Sequence, residues 1–120
     1  MKVISDPIHG ILDYLTVAIF ALAPSLLGFG GVAALISYGL AGIHLAMTLL
    51  TDMPLGPVKA IPMKLHALVE MIVGPVLILA ALLLPAIFDG GRAFFLAMGF
   101  VILAVWFLSN YGKPIAAPGR

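Results

Sequence analysis

The stretch KLHALVEMIVGPVLILAALLLPAI, residues 64–87, decides the fold. Nothing ionisable follows Glu70 in this run, and it is apolar nearly all round. A membrane-crossing helix needs about 20 mostly apolar residues, and this segment has them. Three more segments qualify, giving expected spans over 8–28, 32–51, 64–87 and 92–109. Length and punctuation place them, because helices that are apolar on every side leave periodicity little to say. PSLLGFGG (24–31) and FDGG (88–91) read as short turns, and TDMPLGPVKAIP (51–62), with three prolines and a glycine, reads as an ordered tight loop. NYGKPIAAPGR (110–120) reads as a polar tail.

Composition supports the same reading. The 120-residue chain is 63% hydrophobic and 9% charged, whereas soluble domains carry roughly 25% charged residues. Alternating segments of about ten residues, the mark of a transmembrane barrel, are absent from the sequence. Lipid otherwise admits only helices. The expected fold is all-α: one membrane domain, a four-helix transmembrane bundle made of two tandem helical hairpins, with the lipid bilayer as its first partner. Absence of cysteine excludes disulfides and thiolate metal sites. A net charge of +1 without a basic run gives no footprint for nucleic acid. Lys2 before an apolar run, with Ala21-Leu22-Ala23, imitates a secretory signal. Pro24 after that site and Asp13 within the run argue for a retained first span.

Four spans put both termini and the middle loop on one side. That side collects Lys2, Lys59, Lys64, Lys113 and Arg120, while Arg92, beside Asp89, stands alone opposite. The positive-inside rule then places both termini in the cytoplasm, with Trp106 and Tyr111 toward that interface.

The spans also carry a repeated pattern. HGILDY gives His9 and Asp13, and HALVEM gives His66 and Glu70; each pair is four residues apart and the pairs are 57 apart (66 − 9 and 70 − 13). Asp6 is the expected cap of span one, with Pro7 at its first helical position, and Pro62 has a similar role before span three. Spans two and four end alike, in LLTDMPLG and FLSNYGKP. Two tandem hairpins, 1–56 and 57–120, are the simplest reading, related by an axis along the membrane normal.

These motifs resemble the SPW-repeat family of small bacterial membrane proteins. His9, Asp13 and Tyr14 match its first span start; Pro24, Leu27, Gly28 and Phe29 match its first exit. Ile61, Pro62, Met63, His66 and Gly74 match its second start, with Glu70 where the family usually has Asp. Ser25 replaces the expected tryptophan, no Ser-Pro-Trp tripeptide occurs, and Pro85 comes later than the pattern has it. The resemblance spans roughly residues 8–90. It implies four spans in a bacterial inner membrane and brings no activity with it.

Residues four apart stack on one helix face, so His9 lies over Asp13 and His66 over Glu70. Thr16 continues the first stripe. Span two adds Ser37, His44, Thr48 and Thr51, with Asp52 at its end. A lone charge at mid-span costs about 2.5–3.5 kcal/mol on insertion scales, so these groups should face one another. Three uses are open. The leading one is structural helix–helix contact. The second is a transition-metal or haem site, with His9, Asp13, His66 and Glu70 as candidate ligands and His44 and Asp52 in second line. The third is proton, ion or small-solute transport by an oligomer, because the outer half offers only Ser25, Ser37 and Tyr38. No catalytic set stands out. Gly39, Gly42 and Ala46 give span two a small-residue face, the expected seam of a homo-oligomer. Gly74-Pro75 should bend span three just beyond Glu70. The methionines, without a Met-x3-Met spacing, read as core filler.

Overall fold

The computed structural model describes residues 3–109. Lys2, and the tail 110–120 with Tyr111, Lys113 and Arg120, therefore lie outside the described residues. Four helices form the bundle: α1 (Asp6–Leu27), α2 (Gly31–Leu50), α3 (Met63–Leu83) and α4 (Arg92–Leu108). α1 packs most closely on α2, and α3 on α4. α1, α2 and α3 are long and apolar enough to cross a membrane. α4, with 17 residues, is about 26 Å long at 1.5 Å per residue. Large apolar side chains such as Leu26, Leu35 and Leu83 point outward along the whole bundle, as a lipid-facing surface requires.

Each helix end has an identifiable cause. Ser5, not Asp6, is the N-cap of α1, and Pro7 follows in its first turn, where a missing N–H costs nothing. Pro62 is itself the N-cap of α3. The first turn begins later than PSLLGFGG suggests: α1 runs through Pro24 and stops where Gly28 turns left-handed (φ 74°), its N–H bonded to the Pro24 carbonyl. α3 stops at Leu83 rather than at 87. Pro85 has no N–H for the Ala81 carbonyl four residues back. Arg92 fills that place: its Nε donates to the Ala81 carbonyl at 2.7 Å, and a terminal guanidinium nitrogen donates to that of Leu82 at 3.3 Å. The isolated basic residue of the far side is thus a cap for α3.

The loop 51–62 is ordered, as its composition suggests. The N–H groups of Ala60 and Ile61 both donate to the Leu50 carbonyl, and the Asp52 N–H to that of Ile61. Lys59 Nζ donates to the carbonyls of Met53 and Gly56. Tyr14 ties α1 to this loop through a 2.8 Å bond to the Leu55 carbonyl. A Cβ at Gly56 would collide with the Thr51 carbonyl, so only glycine fits there.

Along its axis the interior divides in two. The far half, beside the α1–α2 and α3–α4 turns, is filled by Phe20, Phe29, Phe88, Phe94 and Phe95; the Phe88 and Phe95 ring centres are 4.7 Å apart. The close backbone approach joins Gly74 of α3 to Gly99 of α4, where an added Cβ on either residue would crowd the other's carbonyl. Gly74 is therefore a packing residue of the second hairpin. Gly39 and Gly42 meet nothing within 4 Å and lie with Ala46 on an exposed face.

Candidate functional site

The near half of the interior, where α1 and α3 begin, is polar. His9 and Asp13 are the fourth and eighth residues of α1; His66 and Glu70 are the fourth and eighth of α3. Equal register places the two pairs at equal depth, about 5 and 10 Å below the helix starts. All four side chains are buried. Their ligand-type atoms lie within 4.8 Å of one another.

The contacts alternate nitrogen and oxygen. His9 Nε2 is 3.3 Å from Asp13 Oδ2 and 3.4 Å from Glu70 Oε2. His66 Nε2 is 3.1 Å from each of the same two oxygens. Each histidine thus meets its own helix's carboxylate and that of the other hairpin. The rings of His9 and His66 meet edge to face with centres 5.3 Å apart.

The other ring nitrogens are held from behind, in the same way in both halves. Thr51, at the end of α2, places Oγ1 2.9 Å from His66 Nδ1. Ser109, at the end of α4, places Oγ 2.7 Å from His9 Nδ1. Both hydroxyls donate their own proton to a carbonyl four residues back, Thr51 to Met47 and Ser109 to Val105, each at 2.5 Å. A hydroxyl has one proton to give. Each must therefore accept from the imidazole, and Nδ1 of both histidines carries a hydrogen. Each Nε2 faces two carboxylate oxygens at 3.1–3.4 Å. A proton on Nε2 makes the ring an imidazolium that donates to them, as the 3.1 Å hydrogen bond between His66 Nε2 and Glu70 Oε2 allows; a neutral ring with its hydrogen on Nδ1 instead turns a lone pair toward them, and a metal cation between nitrogen and oxygen then offsets the repulsion. Asp13 Oδ2 is buried and, among the described residues, accepts no well-aligned hydrogen bond.

His44 approaches from α2, its Nε2 3.3 Å from the second Asp13 oxygen, Oδ1. It joins the cluster through Asp13. Asp52 does not join: it is exposed on the loop and lines an open pocket with Asp6, Lys59 and Lys64. Thr16 and Thr48 bond carbonyls of their own helices, and Ser37 bonds the Phe20 carbonyl of α1 at 2.6 Å. The sequence places Thr51 on the polar face of span two but pairs it with no particular group, and it assigns no role to Ser109. The signal was present in the matching ends LLT and FLS.

Compared with protein-family models, curated proteins and solved structures, the chain matches none. The resemblance to the SPW-repeat family rests on its motif residues alone.

Proposed function

We propose that this is an integral membrane protein that binds one divalent transition-metal ion through His9, Asp13, His66 and Glu70. The observation that carries the reading is the pair of hydroxyls behind the histidines. Metal-bound histidine characteristically donates its other N–H to an oxygen, and here both Nδ1 atoms do so while both Nε2 atoms converge on carboxylates. A tetrahedral ion with bonds of about 2.0–2.1 Å sets its ligand atoms about 3.3 Å apart. Four of the six ligand separations here are 3.1–3.4 Å. Two carboxylates and two neutral imidazoles around a divalent ion leave no net charge, which suits a low-dielectric site. Imidazole with carboxylate fits zinc, iron or manganese.

Haem fits poorly, because the carboxylate oxygens stand beside both Nε2 atoms where the macrocycle would lie. The phenylalanine-filled far half favours a one-sided site over a through-path within one protomer. The cluster also fastens the two hairpins together, so structural contact and metal binding are compatible uses of the same groups.

On orientation, we propose that the near end is cytoplasmic, supported by Lys59 and Lys64 there against Arg92 at the far end, where it is engaged as a cap. The equal registers and twin hydroxyl contacts support descent from a duplicated hairpin. The open Gly39, Gly42 and Ala46 face supports self-association.

The test is a titration of the detergent-purified, chelator-stripped protein with cobalt and zinc. We expect one equivalent bound per chain, with cobalt absorption bands, and loss of both in the His9→Ala/His66→Ala double variant. Equal binding by wild type and double variant, or none by wild type, would leave the cluster as a helix clasp alone.

A further inference from the structure

The two oxygens of Asp13 have different neighbours. Oδ2 faces the Nε2 atoms of His9 and His66 at 3.3 and 3.1 Å. Oδ1 lies 3.3 Å from Nε2 of His44, which α2 brings to the cluster. A carboxylate only accepts hydrogen bonds, so this ring nitrogen carries the hydrogen and donates it. It then has no lone pair left for a metal. His44 is the partner of one Asp13 oxygen, and the other oxygen is left to face the histidines of the site.

The hairpin repeat breaks at this residue. His44 lies seven residues before the helix-end hydroxyl of Thr51 (51 − 44), and the residue seven before Ser109 is Ile102 (109 − 102). Ile102 is buried and apolar. It lines a small cavity beside Glu70 and has no side-chain hydrogen to donate to it. The hydroxyl contacts behind the rings recur in both halves, whereas the donor from the second helix of the hairpin stands in the first half only. The shared hairpin packing therefore does not require it.

This donor limits how many atoms an ion meets. Carboxylates bind metals through one oxygen or two, and one whose second oxygen is held by a donor offers one. Glu70 also meets both histidines through a single oxygen, Oε2. Four residues then offer four atoms. The surroundings supply little further oxygen. The hydroxyls of Thr51 and Ser109 stand behind the rings, at Nδ1, and the cavity beside Glu70 and His44 is otherwise lined by apolar side chains, Leu40 and Val73 among them. Four atoms in a tetrahedron suit zinc, whereas manganese takes octahedral, oxygen-rich sites.

We propose that His44 determines the specificity of the metal site: by holding Asp13 Oδ1 it confines Asp13 to one ligand atom, keeps the site four-coordinate and selects zinc over manganese. This rests on the metal-binding reading above. His44 is a positioning residue that acts through Asp13, not a fifth ligand.

The test compares zinc and manganese binding by the detergent-purified, chelator-stripped protein, wild type against His44→Ala and His44→Gln. Hydrogen-bond partners of metal ligands are worth about 10–100-fold in affinity. His44→Ala should lose that much for zinc and little for manganese, because both Asp13 oxygens become available to the larger shell. The zinc-to-manganese affinity ratio should then narrow by about tenfold or more. His44→Gln, whose amide N–H donates in place of the ring, should restore most of the ratio. Cobalt gives an independent reading: intense tetrahedral bands in wild type and His44→Gln, weakened in His44→Ala as the coordination number rises. His44→Leu repeats the comparison should His44→Ala fail to fold. An unchanged ratio, including equal losses for both metals, would make His44 a support of the fold alone and overturn the proposal while leaving the metal reading intact. Scattering from three imidazoles at the metal edge would make His44 a ligand and overturn it likewise. Failure of the wild type to bind zinc, cobalt or manganese would overturn the metal reading itself, and the proposal with it.

Discussion

Thr51 and Ser109 fix the tautomer of the two histidines, and this can be tested one atom at a time. Thr51→Val and Ser109→Ala each remove the acceptor for one Nδ1–H. Partners of this kind are worth 10–100-fold in metal affinity, so each variant should bind metal about 10–100-fold more weakly, and Thr51→Ser should restore the loss. A titration against a chelating dye measures this; a Thr51→Val affinity equal to wild type would remove the hydroxyls from the account. The four central residues were legible in the sequence, because a histidine four residues before a carboxylate, twice over in an apolar chain, has few uses. The hydroxyls were not legible as partners. Thr51 and His66 are 15 residues apart, Ser109 and His9 are 100 apart, and only the hairpin geometry brings each end onto a ring. Asp52, held in second line because it stands at the end of span two, is turned out to the surface by the loop.

The elements were legible through length and punctuation, and their ends were less so. The end of α3 depends on Arg92, which lies beyond the turn and replaces the hydrogen bond that Pro85 cannot make. No local rule reads that exchange. Arg92→Met should leave the Ala81 carbonyl without its Nε donor and destabilise the fold by about 1–3 kcal/mol, the cost of stranding a buried polar group. Metal affinity should stay unchanged, since the site is at the other end of the bundle. The α3–α4 contact gives a second test. A Cβ on Gly99 would fall 2.6 Å from Ile78 Cγ1 and 2.9 Å from the Gly74 carbonyl. Gly99→Ala should therefore cost about 1–3 kcal/mol through overpacking, whereas Gly42→Ala, facing open space, should leave the monomer's melting temperature unchanged. Thermal melts in detergent separate the two; equal tolerance at both sites would contradict the packing. The small-residue stripe of span two stands out in the sequence as a seam between copies of the chain, whereas the close approach within the chain is made by Gly74 and Gly99, which belong to no such stripe.

At the scale of the whole molecule, two hairpins are joined by a polar clasp at one end and an aromatic core at the other. A ligand that binds only the folded state stabilises it. Stripping the metal should lower the melting temperature, and adding it back should restore it in wild type but not in the His9→Ala/His66→Ala variant. The chain contains no cysteine, so single replacements report orientation cleanly. Asp52→Cys should label only from the cytoplasm and Asp89→Cys only from the opposite side; the reverse pattern would invert the topology. If His9, Asp13, His66 and Glu70 share one ion, X-ray absorption at the metal edge of the loaded protein should show a shell of nitrogen and oxygen at about 2.0–2.1 Å with the multiple-scattering signature of two imidazoles. An all-oxygen shell without imidazole scattering would contradict it.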